Sequence, residues 1–119
     1  MFAQGRRGTM GFARHLKEGG MGTLLFDVAA EGGAEIDFLG KPATTATSAA
    51  DLAIKLGAIV VPYFGIRGAD GFSFDVEVQA PIAAADPARM MQEMTDRLGQ
   101  MVEAHPGQWF WVHRRWKTY

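Results

Sequence analysis

Three histidines, one aspartate at the end of an apolar run and two arginine pairs are the side chains of this 119-residue sequence whose types could do chemistry. His15, His105 and His113 carry imidazoles, the side chains most often used for proton transfer. No clustered ligand spacing joins them to carboxylates, so no metal or organic cofactor is expected. The absence of cysteine excludes a disulfide framework, a thiolate metal site and a cysteine nucleophile. Asp27 closes the run Met21–Val28, and the C-terminal end of a strand is where α/β sheets place ligands. The alternative for Asp27 is a solvated or capping carboxylate. Arg6-Arg7 lies near one end, Arg114-Arg115 near the other, and Arg67 follows a proline-containing apolar stretch.

The segment Pro106–Lys117, PGQWFWVHRRWK, places Trp109, Phe110, Trp111 and Trp116 around His113, Arg114 and Arg115. Indoles favour the interfacial layer of a bilayer, and paired arginines can fork phosphate oxygens. A contact with lipid headgroups is one reading. A terminal segment whose aromatics pack on a sheet while its charges are solvated is the other. A nucleic-acid surface is opposed by the charge distribution, and no nucleic-acid partner is expected. The formal net charge of -1 conceals segregation: residues 1–20 and 105–119 each carry +3, and residues 21–104 carry -7.

These residues must be positioned by one core, because 119 residues suffice for one compact domain. No run approaches the about 20 apolar residues of a membrane-spanning helix. Near-helical spacing of Met10, Phe12, Ala13 and Leu16 predicts a helix over Thr9–Glu18, stopped by Gly19-Gly20. Met21–Val28 reads as a buried strand, and the glycine-rich Ala29–Pro42 as an ordered loop covering something with Ile36, Phe38 and Leu39. Thr44–Leu56 predicts a helix closed by Gly57. Ala58–Ile66 predicts a strand that ends, bulges or lies at an edge near Pro62. Alternation from Phe72 to Ala80 predicts a strand with one buried face, paired antiparallel with Ala58–Ile66. Asp86 and Pro87 open the longest helix as N-cap and first residue, with Met90, Met91, Met94, Leu98, Met101 and Val102 on its apolar face before Pro106. This order predicts an α/β fold: an αβα sandwich around a mixed sheet, with the apolar Met21–Val28 strand short of neighbours and the domain therefore partial.

The tail resembles the C-terminal signature of the bacterial lipid A biosynthesis acyltransferases, the lauroyl and myristoyl transferases, in which Pro, Gln and an aromatic precede Trp-x-His-Arg-Arg and an aromatic-Lys pair. The resemblance continues in Leu16-Lys-Glu-Gly19 before Asp27, in Phe38-Leu-Gly40-Lys-Pro-Ala43-Thr, and in Val61-Pro62 followed by Arg67. It implies the glycerolipid/lipid A acyltransferase type of sandwich, with residues 1–119 as the C-terminal part of a single domain. The implied activity is transfer of a fatty acyl group from acyl carrier protein to a lipid A precursor or similar glycolipid, peripherally at the cytoplasmic face of the bacterial inner membrane. The family's base is a His with an acidic residue five positions on. Five beyond His15, His105 and His113 stand Gly20, Phe110 and Thr118, so the pair is expected upstream of Met1. Asp27 matches the family's functional Asp, and Arg6 or Arg7 its Arg after a Gly. Arg67, His113, Arg114 and Arg115 are the candidate acceptor-binding residues. The rival reading is a non-enzymatic peripheral membrane or glycolipid-binding module.

Overall fold

The computed structural model describes residues 5–27 and 29–117. Its elements are α1 (Arg6–Lys17), β1 (Ala29–Phe38), β2 (Lys41–Thr45), α2 (Ser48–Leu56), β3 (Tyr63–Arg67), β4 (Phe74–Val78) and α3 (Pro87–Ala104), followed by a 3-10 turn over Pro106–Gln108. The architecture is mixed α/β: two antiparallel ribbons, β1-β2 and β3-β4, beside three helices. In place of one mixed sheet the ribbons are separate among the described residues.

The three helices stand close to where periodicity puts them. In α3 the Asp86 carboxylate accepts from the Arg89 amide at 3.0 Å, Pro87 follows it, and Met90, Met91, Met94, Leu98 and Val102 are buried. That apolar face packs on β1, with Ile36, Ala50 and Ile82 at one end and Phe38 and Ala43 at the other. Gly57 closes α2 in the left-handed conformation, φ +65°. The start of α2 is later than the composition implies, because Thr44 and Thr45 belong to β2.

Two segments depart from expectation. Met21–Phe26 pairs with no strand, Asp27 lies in a bend, and Val28 lies outside the described residues. A strand apolar on both faces needs neighbours on both edges to satisfy its backbone, and neither ribbon supplies one here. Leu25 is accordingly 82% exposed. Ala29–Pro42, read as a loop, instead forms β1, a tight turn and the start of β2. Ile36 and Phe38 are buried while Glu35 and Asp37 are exposed, which is the alternation of a half-buried strand. Leu39 (φ +51°) and Gly40 (φ +80°) form the two-residue link, with the positive-φ pair of a type I′ hairpin turn.

The β3-β4 hairpin has the expected pairing, Tyr63 opposite Val78 through Arg67 opposite Phe74, and β3 begins directly after Pro62. Its expected buried face is not buried: Phe74, Val76 and Val78 are all exposed, because no layer covers the ribbon within the described residues. Two glutamines cap strand edges. Gln92 on α3 accepts from the Asp37 amide (2.9 Å) and donates to its carbonyl (2.8 Å), and Gln108 treats Arg67 the same way (2.8 and 3.1 Å). Each side-chain amide substitutes for a missing neighbouring strand. At the β3-β4 turn, Asp70 accepts from the amides of Phe72 and Ser73, both at 2.9 Å, and from the Ser73 hydroxyl.

A side chain at Gly40 is strained by the backbone conformation and not by crowding. Gly40→Ala forces a Cβ into the left-handed region and is expected to lower unfolding free energy by about 1 kcal/mol in denaturant titration. Donation from the Ser73 amide first, then from Phe72 and the Ser73 hydroxyl, holds the Asp70 carboxyl below the usual carboxylate range. Its contribution to the turn is therefore present above the ordinary carboxylate pKa and lost as pH falls through the lowered one. Carboxyl and amide NMR titration should show the Phe72 and Ser73 amides moving with that low midpoint in the wild type and not in Asp70→Asn.

Candidate functional site

The tail is a series of tight turns: the Trp111 amide donates to Trp109, His113 to Phe110, Arg115 to His113 and Lys117 to Arg114. Their spacing sends Trp109, Arg115 and Trp116 inward and leaves Phe110, Trp111, Val112 and Arg114 outside. The inward residues converge on Phe38, which is completely buried. Trp116 stacks on it at 5.2 Å and 16°, and its indole N–H donates to the Phe38 carbonyl at 3.0 Å. Trp109 meets the same ring edge-on at 5.6 Å. The Arg115 guanidinium carbon stands 5.5 Å from the ring centroid.

Arg115 is 0% exposed, so its place is the interior and not a solvent-facing acceptor surface. One terminal nitrogen donates to the Thr44 carbonyl at 3.1 Å and the other to the Thr45 hydroxyl at 2.5 Å, while Nε is buried without a partner. Burial pushes the guanidinium pKa down, and the negative charge of Asp27 opposes that shift. Asp27 is thus the charge that Arg115 senses. His113 reaches the same place from the other side: the Ala29 amide, two residues after Asp27, donates to its Nε2 at 3.3 Å. With Nε2 accepting, the neutral ring carries its proton on Nδ1.

The structure therefore gathers Asp27, His113 and Arg115 around the entry to β1. Arg114 remains exposed beside them in sequence. Arg6 and Arg7 lie on the exposed first turn of α1, and no hydrogen bond or ion pair among the described residues joins them to Asp27. Arg67 is exposed at the end of β3, donating to the Gly71 carbonyl at 2.7 Å with its guanidinium 4.7 Å from the centre of the Phe74 ring.

Asp27 also borders a cleft of about 440 Å³. Phe12 and Leu16 of α1, Phe26, Phe64, Met94 and Trp109 supply much of its apolar wall, with His105 a further polar group in the lining. A size within about 300–1,000 Å³, an apolar wall and few polar groups are the features of a small-ligand site. Phe38 and Thr45 are not marked as site residues by the sequence, and His105, a candidate by type alone, lines the cleft. Alternation in Glu35-Ile36-Asp37-Phe38 is the signal that could have placed Phe38 on a buried strand; no sequence signal marks Thr45 as the acceptor for Arg115.

The sequence profile of the family described as "Bacterial lipid A biosynthesis acyltransferase" matches residues 4–118. Phosphatidylinositol mannoside acyltransferases of Mycobacterium tuberculosis, strains CDC 1551 / Oshkosh and ATCC 25618 / H37Rv, are each 31% identical over 84 residues, 71% of this chain. The chain covers 27% of the length of these curated relatives.

The Phe38 and Arg115 contacts make two predictions of one kind. Phe38→Ala should cost about 3–5 kcal/mol of unfolding free energy. Arg115→Lys should cost at least about 2 kcal/mol, since an ammonium cannot fork between the Thr44 carbonyl and the Thr45 hydroxyl. Chemical denaturation measures both, and a lysine variant as stable as the wild type would show that the fork does not hold the tail.

Proposed function

Since the chain belongs to the bacterial lipid A biosynthesis acyltransferase family, we propose that residues 1–119 form the C-terminal part of a single acyltransferase domain. In this reading the domain transfers a fatty acyl group from acyl carrier protein to a hydroxyl of a lipid A precursor or similar glycolipid. The match across residues 4–118 is the observation that carries it. Relatives named for a phosphatidylinositol mannoside acceptor support a glycolipid as the general class. The domain works at the cytoplasmic face of the bacterial inner membrane, where both substrates meet.

In the transfer, the acceptor oxygen attacks the thioester carbonyl, loses its proton to a base, and the thiol departs with a proton. In this reading the base, which the family resemblance implies is a His with an acidic residue five positions on, is none of His15, His105 and His113. Asp27 supports the centre from the rim of the cleft. The cleft takes the acyl chain, each buried methylene contributing about 0.8 kcal/mol. Arg6 or Arg7, Arg67 and Arg114 face solvent and meet acceptor phosphates. Arg115 and His113 act one step back, holding β2 and the Ala29 amide and so fixing the bend that carries Asp27. Preceding strands beside β3-β4 and Met21–Val28 would complete the αβα sandwich.

The purified chain alone should transfer no acyl group above background. Grafted in place of the matching segment of the Mycobacterium tuberculosis phosphatidylinositol mannoside acyltransferase, it should support transfer, and Asp27→Ala in that graft should lower kcat by about 100-fold. A folded graft whose Asp27→Ala variant keeps the full rate would remove Asp27 from the centre. Acyl transfer by the isolated chain, lost on Asp27→Ala, would show that the upstream base is dispensable.

A further inference from the structure

The same turns that bury Trp109, Arg115 and Trp116 leave three consecutive apolar side chains outside. Phe110 is 70% exposed, Trp111 53% and Val112 77%. They are held out by backbone hydrogen bonds at Trp111 and His113 and by the Trp111 indole N–H, which donates to the Pro106 carbonyl at 2.7 Å. The loop is therefore fixed in shape before it meets anything, and the polar atom of its one indole is already occupied. Solvent gains nothing from this arrangement, and the core does not use it.

The surroundings favour one kind of partner. From His105 to Lys117 there is no acidic residue, and Arg114 and Lys117 are exposed on either side of the buried Arg115. Gln108 ties the loop to Arg67 at the end of β3, bringing a third exposed base to the same end of the molecule. Of the acids at this end, Asp70 is folded back onto the amides of its own turn and Asp75 stands opposite Ile66 on β4. Aromatic and aliphatic side chains projecting from a basic rim match a bilayer with anionic headgroups, in which rings settle at the interface and arginines take phosphates. No helix among the described residues is long and apolar enough to cross a membrane, so contact of this kind would be peripheral.

We propose that Phe110, Trp111 and Val112 form a wedge that enters the interfacial layer of an anionic lipid bilayer, with Arg114, Lys117 and Arg67 on the headgroup phosphates. This surface goes beyond acyl transfer, resting on that reading only in that its substrates are lipids. Vesicle binding needs no acyl donor, so either proposal can fail alone.

Co-sedimentation of the 119-residue chain with phosphatidylcholine vesicles, with and without phosphatidylglycerol, tests it. Binding is expected to require phosphatidylglycerol, to weaken with salt, and to fall about tenfold or more in Phe110→Ser/Trp111→Ser/Val112→Ser. Vesicles with brominated acyl chains should quench tryptophan fluorescence in the wild type. Trp111→Phe should keep binding and lose most of that quenching, because Trp116 is stacked on Phe38 and Trp109 lies in the cleft wall and not on the exposed loop. The triple variant is compared by circular dichroism and melting; should it unfold, Trp111→Phe decides alone. Absence of vesicle binding, equal binding by a folded triple variant, or quenching undiminished in Trp111→Phe each overturns the wedge. So does a dimer that the triple variant dissociates without any vesicle binding, since a second copy would then cover the loop.

Discussion

The docking of the tail onto the β1-β2 hairpin is the contact on which the arrangement of the molecule depends. Two short antiparallel ribbons have little stability of their own, since a two-stranded hairpin is marginal in water without a surface to pack on. Here α3 covers one side of β1, and the tail closes over Phe38 with two indoles and a guanidinium. The contact joins residues 70 and 78 positions apart, through Arg115 to Thr45 and Trp116 to Phe38. Loop closure over that distance carries an entropic cost that only a dense set of contacts offsets.

Burying a charged guanidinium is expensive, and this one is satisfied at its two terminal nitrogens but not at Nε. A hydrocarbon of similar volume would pack on Phe38 without that cost. What it would lack is the fork that selects one register of β2. The bulge in the ribbon sharpens this: Thr45 lies opposite both Ala29 and Ala34, so one residue of β2 anchors both ends of the detour through Glu31 and Gly32. Fixing Thr45 with Arg115 and the Ala29 amide with His113 therefore fixes the point where the chain leaves Asp27.

The helices were legible in the sequence because each carries its own signals: an Asp-Pro start and a methionine face for α3, a terminal glycine for α2. The β3-β4 pairing was legible for the same reason, as alternation and a glycine-bounded turn are local. Burial was not, because alternation says that one face is apolar and not that anything covers it. Met21–Val28 failed as a strand on this non-local ground: its composition suits a central position, and a central position needs neighbours that these residues do not provide. Ala29–Pro42 failed on a local one. Glycine at Gly32 and Gly33 weighed towards a loop, whereas those residues form a bulge within a strand whose later half alternates cleanly.

The tail illustrates how a motif can combine two arrangements that composition cannot separate. Trp109, Phe110, Trp111 and Trp116 look equivalent as a string, as do Arg114 and Arg115, and either a packing or a lipid-contact reading accounts for all of them together. The turns assign them to opposite sides: Trp109, Arg115 and Trp116 meet Phe38, and Phe110, Trp111, Val112 and Arg114 point away. The two readings are therefore not rivals. A loop that presents Phe110, Trp111 and Val112 to a partner in a fixed shape needs the neighbouring indoles and Arg115 pinned beneath it, because an unanchored tail would lose the ordering entropy again on binding. On this argument the buried half of the motif is the condition for the exposed half, and substitutions at Trp109 or Trp116 reach the surface through the core.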